Sequence, residues 1–536
     1  MLLDALFIEY RSYIPLIALI TFPSIIVLLN VVCQLLPADR TLPPLVFHWI
    51  PLLGSSAAYG RDPVRFLQDC QEKYGNVFTF ILLGRRVTVT LGSKGNDFVL
   101  GGKHTILAAE DVYASLTKPV FGEGVVHDCP NELLMEQKKF VKYSLTIDNF
   151  RSYVGMVEDE VLEFMRSDPE FRVFQKTDNK EWGSFNLLKV LSEITILTAS
   201  RTLQGKEIRE NMDKGFAQLF HDLDNGFTPL HFIFQNLPLP SYWKRDAANA
   251  KMTKFYQQIL QNRRVTGEDP EDVMSSLAKE SYRDGRPLED YEIAHIMIAL
   301  LMAGQHTSSS SSAWTLLRLA DNPDVAQKLY QEQVDHFSAP DRRLRDMTYD
   351  EMRSLPILDA VIRETLRLHP PIHSIFRMVR SALPMPPSLA APSEDSVYVV
   401  PKGDIVLASP AVSQVDPTLW KDGVKWEPSR WLDVDGFAVR AQKSYDDEAK
   451  VDFGFGLVSR GTESPYLPFG AGRHRCIGEQ FAYLQVGAII TTFIRNIEFR
   501  LEEPFPKSDY TSMMVQPFPC HIAYRRRNLG SASTQC

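Results

Sequence analysis

From Ile14 to Leu36 the chain carries no charged side chain and only four polar ones, Thr21, Ser24, Asn30 and Gln34. At about 1.5 Å per residue, a helix of that length can cross a bilayer. Asp4, Glu9 and Arg11 precede it, which is not the positive flank of a cleaved leader. The pattern predicts a membrane anchor over 1–36, and a membrane helix tolerates Pro15, Pro23 and Asn30. The flanking charges are too balanced to orient it. Pro37, Pro43, Pro44 and Pro51 follow, predicting a stiff, extended hinge over 37–51. Residues 64–74 look amphipathic. Residues 76–91 predict a β-hairpin, with Val77 to Leu82 and Val87 to Leu91 joined through Gly84-Arg85-Arg86. From about Glu132 to about Leu368 helical periodicity dominates. Breaks fall at Pro229 and Pro238-Leu239-Pro240. One long helix begins near Asp290 and runs through the serines 308–312 to Leu317. Short strands and turns follow, with one more helix after Cys476. No internal repeat is present. The expected fold is mainly α with a smaller β-rich lobe, residues 52–536 forming one domain.

Composition narrows the class. The chain has 536 residues, 44% of them hydrophobic, ample for a large core. A net charge of -8 gives no reason to expect a nucleic-acid partner. Six cysteines without Cys-x-x-Cys spacing suit neither a disulfide scaffold nor a zinc site.

The chemistry concentrates around Cys476, in Pro468-Phe469-Gly470-Ala471-Gly472-Arg473-His474-Arg475-Cys476-Ile477-Gly478. A lone cysteine among glycines and basic residues suits a thiolate ligand to haem iron, which pushes electron density toward O–O cleavage. Glycines let the backbone approach a flat macrocycle. Backbone N–H groups and basic neighbours are expected to lower the thiol pKa. A buried structural cysteine in a glycine turn is the alternative.

Three further patterns accompany the loop. Ala303-Gly304-Gln305-His306-Thr307 lies inside the long helix, where a glycine costs about 1 kcal/mol relative to alanine. Lack of a side chain at Gly304 would let O2 or substrate lie against the helix, Thr307 would hold the oxygen ligand, and His306 would relay protons. A kinked core helix is the alternative. Glu364-Thr365-Leu366-Arg367 places Glu364 and Arg367 on one helical face. Buried, such a pair needs extra hydrogen bonds, and Arg430 in Trp426-Glu427-Pro428-Ser429-Arg430-Trp431 is a candidate third partner.

In this order the four elements resemble the cytochrome P-450 superfamily across essentially the whole chain. The resemblance implies haem (iron protoporphyrin) held by Cys476, Phe469, Gly470 and Gly478, with Glu364, Arg367 and Arg430 as a structural triad. A narrower likeness is to fungal sterol 14α-demethylases. It rests on Tyr113-Ala114-Ser115-Leu116-Thr117-Lys118-Pro119-Val120-Phe121-Gly122, on Asp128-Cys129-Pro130-Asn131, on Leu134 to Phe140, on His306-Thr307, on His373-Ser374-Ile375 and on His474. It implies that Tyr113, Lys138, Arg377 and His474 contact the haem propionates. Phe121, Phe227, Phe232, Ile375, Phe376 and Met513 would wall an apolar sterol cavity that azoles also enter. His127 and Lys118 depart from the family's usual tyrosine and threonine, and Phe376 from its frequent methionine. Weaker binding of some azoles is expected from His127, checked by spectral titration against His127→Tyr.

The implied reaction removes the 14α-methyl group of lanosterol or eburicol by three oxygenations, in ergosterol biosynthesis. Electrons would come from NADPH through a separate cytochrome P-450 reductase. The implied location is the endoplasmic reticulum membrane, single-pass, with the catalytic domain cytosolic. A monooxygenase acting on another lipid or secondary metabolite, and a haem protein that binds sterol or azole without turnover, are the rival readings.

Overall fold

The structure, a computed structural model, describes residues 14–36, 39–176, 181–212, 214–234, 236–270, 272–340, 344–394, 396–446 and 460–527. Strands β1 (Val77–Leu82) and β2 (Arg85–Thr90) pair antiparallel, from Val77 opposite Thr90 to Leu82 opposite Arg85. The hairpin was expected; its turn is tighter than expected. Leu83 (φ 48°) and Gly84 (φ 79°) make a two-residue turn with both residues left-handed, so the second strand begins at Arg85. Both strands are largely buried, yet hold threonines, because each hydroxyl finds a partner. Thr79 and Thr88 hydroxyls lie 2.8 Å apart, and Thr90 donates to Gly95 O at 3.0 Å.

Two compact units emerge, one of residues 1–108 with 375–409, the other of 109–374 with 410–536. Residues 375–409, distant in the chain, complete the smaller, β-rich unit. Its sheet adds β3 (Leu107–Ala108), β4 (Ile375–Val379) and β5 (Ile405–Ala408), in the order β1-β2-β5-β4-β3. Only β2 and β5 run parallel.

This unit also contains helix α1 (Ile14–Leu35). Asn30 Nδ2 donates to His48 O (2.9 Å) and Trp49 O (3.0 Å), and Gln34 exchanges hydrogen bonds with the His48 backbone. Part of the proline-rich stretch pairs with β1: Val46 N donates to Thr79 O and Thr79 N to Pro44 O, both at 2.7 Å. Residues Pro37 and Ala38 lie outside the described residues. Among the described residues no helix is long and apolar enough to cross a membrane.

The larger unit is helical. Its principal helices are α2 (Glu110–Phe121), α3 (Asn131–Ser144), α4 (Leu187–Ala199), α5 (Pro240–Thr266), α6 (Asp290–Asp321), α7 (Pro356–Leu368) and α8 (Glu479–Asn496). A reciprocal capping box between Glu289 and Glu292 starts α6. Helix α6 packs against α4, α5, α7 and α8 and is buried nearly all round, as a central helix must be. Two of its serines find backbone acceptors: Ser311 donates to Thr307 O (2.8 Å) and Ser310 to Val515 O (2.6 Å).

The helical reading of 132–368 misses one strand. Gly183–Asn186 pairs antiparallel with His521–Arg526, which pairs in turn with Ile497–Leu501. Its partner lies at the far end of the chain, where no local periodicity reports it.

Candidate active site

The Cys476 loop is built by glycine conformations and short hydrogen bonds. Gly470 (φ 68°) and Gly472 (φ 67°) are left-handed, a region that side chains disfavour. Cys476 N donates to Phe469 O (3.1 Å) and Gly470 N to Leu467 O (3.1 Å). Lys138, from α3, donates to Arg473 O (3.2 Å) and Arg475 O (3.0 Å). Arg475 pairs with Glu479 at 3.0 Å, and its guanidinium lies 3.7 Å from the Tyr445 ring centroid. Tyr445 in turn donates to Gly470 O at 3.1 Å.

Cys476 is exposed by surface area, yet desolvation by the surrounding protein pushes its thiol pKa up. The Gly478 N–H, Lys138 and Arg475 act in the expected direction and lower the pKa, but burial outweighs them and Glu479 adds to the rise. The expectation of a thiol ionised by its loop alone is therefore corrected. A metal cation held by Cys476 would supply the missing positive charge, since coordination deprotonates a thiol outright.

Behind this loop the Glu364 and Arg367 side chains on α7 are wholly buried. Glu364 Oε1 accepts from Arg367 Nη2 (2.8 Å), Arg430 Nε (2.9 Å) and Glu427 N (2.8 Å). Its Oε2 accepts from Arg367 Nε and Trp431 Nε1, both at 2.9 Å. Arg367 Nη1 donates to Gln414 O (2.7 Å) and Gly423 O (2.5 Å). The charges are paired and hydrogen-bonded, which a buried ion pair requires. Gln414 joins this cluster to the cysteine loop. Its Nε2 donates to Arg367 O (2.9 Å), and its Oε1 accepts from Leu467 N (2.9 Å).

On α6, Ala303 is the exposed residue in a buried stretch, with Gly304 and Thr307 half-buried. Thr307 Oγ1 donates to Ala303 O at 2.8 Å, leaving its lone pairs to accept a proton donor. The side chain that Gly304 lacks would meet Leu203 Cδ1 at 3.4 Å, Ala199 Cβ at 3.7 Å and Phe481 Cε1 at 3.9 Å. At those distances a methyl group would make ordinary van der Waals contact, so packing alone does not demand glycine here, and the surface presented by this turn is made by Ala303, Gly304 and Thr307. His306 stacks on Phe220 (centroids 5.8 Å, 24°). Its Nε2 lies 3.0 Å from Asp224 Oδ1, close enough for an ion pair when the ring is protonated, although the two are not aligned as a hydrogen bond.

A family model described as cytochrome P450 matches residues 43–521. The chain belongs to the cytochrome P450 family. It is 51% identical to the lanosterol 14-alpha demethylase of Mycosarcoma maydis, over 93% of this chain and 91% of that protein. It is 46% identical to the sterol 14-alpha demethylase of Aspergillus fumigatus, covering 94% of this chain and 96% of that one. Identity to the eburicol 14-alpha-demethylase of Uncinula necator is also 46%, with 93% of each covered. In fold it is similar to a retinoic acid bound cyanobacterial CYP120A1, with a TM-score of 0.72 at 20% identity, covering 91% of this chain and 100% of that one.

As a P450, the chain carries haem, with electrons supplied by a separate reductase. The donor set fits the group. A single deep, accessible thiol offers the ligand, and left-handed glycines keep side chains off the adjacent surface. Around it lie Lys138, His474 and Tyr113. His474 Nε2 is 3.4 Å from Asn131 Nδ2. The His127 ring lies between, 5.3 Å from Tyr113 and 5.8 Å from His474. Phe232 stacks on Tyr113 (6.1 Å), Phe121 meets Phe227 (5.7 Å), and Phe469 meets Tyr483 (5.4 Å). Half-buried Met513 sits on a segment fixed by Ser310 donating to Val515 O. Ile375, Phe376 and Arg377 lie on β4 of the smaller unit; Arg377 is buried and donates to Phe376 O at 2.7 Å.

Sequence reasoning missed Asp224, Gln414 and Tyr445. Their types are ordinary, and each acts through a partner distant in the chain. Trp431, inside a motif already singled out, could have been found as a further donor to Glu364.

Proposed function

We propose that this P450 is a sterol 14α-demethylase that removes the 14α-methyl group of lanosterol or eburicol by three successive oxygenations, releasing the carbon as formate. The observation that carries a haem-thiolate reading is the Cys476 thiol, accessible yet deep, on a loop fixed by α3 and by the Glu364 cluster. The sterol assignment is supported by the relatives at 45–51% identity.

Haem supplies oxygen activation, with Cys476 as its protein ligand. Lys138, Tyr113 and His474 would hold the propionates. Phe121, Phe227, Phe232 and Met513 would orient the sterol and exclude water, and orientation alone can remove much of a barrier. Half-exposed Asp224 takes protons from solvent and hands them to buried His306. The Thr307 hydroxyl, one residue on and donating to Ala303 O, would hold a proton at its Oγ1 for delivery to the site.

The electron donor of this reading is NADPH through a membrane-bound cytochrome P450 reductase. The uncharged run 14–36 and the outward side chains of Leu19, Phe22, Leu28 and Leu35 support a single-pass anchor in the endoplasmic reticulum, with the catalytic part cytosolic. Deleting residues 1–36 should move the protein from the membrane to the soluble fraction and leave the haem spectrum unchanged.

The reading is tested by the reduced carbon-monoxide difference spectrum, followed by incubation with lanosterol or eburicol, reductase and NADPH. Expected are the long-wavelength Soret band of a thiolate-ligated haem, its loss in Cys476→Ser, and formate with demethylated sterol as products. Full oxidation of a different lipid, with neither sterol turned over, would sink the substrate assignment.

A further inference from the structure

Lys118, near the end of α2, reaches back over the loop that follows. Its Nζ lies 3.2 Å from Glu123 Oε1 and 3.6 Å from Asp128 Oδ2. Asp128 Oδ2 also accepts from Gly124 N at 3.1 Å. Two other helices grip the same loop. From α3, Gln137 Nε2 donates to Gly124 O at 2.8 Å, and from α6, His295 Nδ1 donates to Glu123 O at 2.9 Å. Between the two carboxylates, Val126 is left-handed (φ 55°). A β-branched residue holds that conformation only when its surroundings impose it. The twist at Val126 aims the next residue, His127, whose ring meets Tyr113 and His474 at 5.3 and 5.8 Å. Two of the three positions at which this chain differs from the pattern expected of the family, 118 and 127, are thus coupled through one short loop.

We infer that Lys118 is a positioning residue: by bridging Glu123 and Asp128 it clamps the 122–128 loop, holds the His127 ring against Tyr113 and His474, and so sets affinity for ligands lying along this edge of the haem site. For the identity of those ligands, sterols and azoles, the inference rests on the proposed function. Hydrogen bonds from Gln137 and His295 fix where the loop lies, while the ammonium fixes how tightly its His127 end closes. Lys118 and Glu123 are substantially exposed and Asp128 less so. The clamp is therefore weak and screened by salt, which gives it a signature that a packing contact lacks.

The test uses full-length, haem-loaded protein as wild type, Lys118→Thr, Lys118→Arg and His127→Tyr. Amide hydrogen exchange over 122–128 is measured without sterol, and azole and sterol affinities are read from the Soret shift. At about 0.05 M salt, Lys118→Thr should raise exchange and weaken azole binding by about two- to fivefold. Lys118→Arg should restore both. At about 0.5 M salt wild type and Lys118→Thr should converge. In a His127→Tyr background Lys118→Thr should still raise exchange, since the clamp acts on the loop and not on the ring. Unchanged exchange in Lys118→Thr, or an affinity loss equal at both salt concentrations and not rescued by arginine, would overturn the clamp. If no sterol binds the wild type while Lys118→Thr still loosens the loop, the substrate reading fails and the clamp stands.

Discussion

In the proposed mechanism a proton bound for Thr307 would pass from water into a buried helix, and His306 with Asp224 would offer the route. His306 is 8% exposed, whereas the Asp224 side chain is 41% exposed, and the two meet at 3.0 Å. The carboxylate therefore faces solvent on one side and the imidazole on the other. Asp224→Asn keeps the shape and removes the base. Sterol affinity should be unchanged, turnover should fall by about tenfold or more, and the solvent isotope effect on turnover should rise. A parallel loss of sterol binding would make Asp224 a folding residue instead. At this scale the sequence carries Cys476, His306 and Thr307 openly, because each sits in a short pattern of unusual composition. Asp224 is silent there, being the last residue of a separate helix, Lys214–Asp224. The thiol pKa was likewise misjudged from sequence, since nearby basic residues are visible in the motif but the surrounding low-dielectric volume is not.

Among the elements, α7 does most to hold the cysteine loop. One face brings Glu364 to Arg367, Arg430, Trp431 and the Glu427 backbone, and Gln414 carries that order to Leu467 at the start of the loop. Glu364→Gln leaves the Arg367 guanidinium buried with its counter-charge gone. Loss of one partner of a buried pair costs about 3–5 kcal/mol. The variant should unfold at lower temperature and retain less haem, measured by thermal denaturation and by the ratio of Soret to protein absorbance. Unchanged haem retention would separate this cluster from the cysteine loop. The β1–β2 hairpin was readable because pairing between neighbours in the chain leaves local alternation. Its two-residue turn was not, since Leu83 adopts a left-handed conformation that its side chain does not advertise. Strand Gly183–Asn186 left no signal for a related reason: it is short, contains a glycine, and exists only through pairing with His521–Arg526.

For the molecule as a whole, buried histidines set a pH window. His369 stacks on Trp314 (centroids 3.9 Å, 6°) and accepts two hydrogen bonds from Arg318, at 2.9 and 3.0 Å. Burial first, then Arg318 and Arg367, hold its pKa well below the usual histidine range, and burial holds His373 down at about 4. In the unfolded chain both titrate near 6.5. Above that pH neither form binds the proton and stability is full. As pH falls below about 6.5 the unfolded state gains protons that the native state refuses, so stability declines, by at most about 1.4 kcal/mol per pH unit per histidine. The melting temperature should drop between about pH 7 and 5, and His369→Gln should flatten that slope; an unaltered slope would place the titration elsewhere. The sequence by itself determined the long central helix, the hairpin, the thiol loop and the paired Glu364 and Arg367, because periodicity and short motifs are local properties of the chain. Only the tertiary structure decided that Asp224 meets His306, that Lys118 bridges Glu123 and Asp128, and how strongly each buried group resists ionisation. Those outcomes depend on distance and dielectric between segments far apart in the chain, and folding alone brings them together.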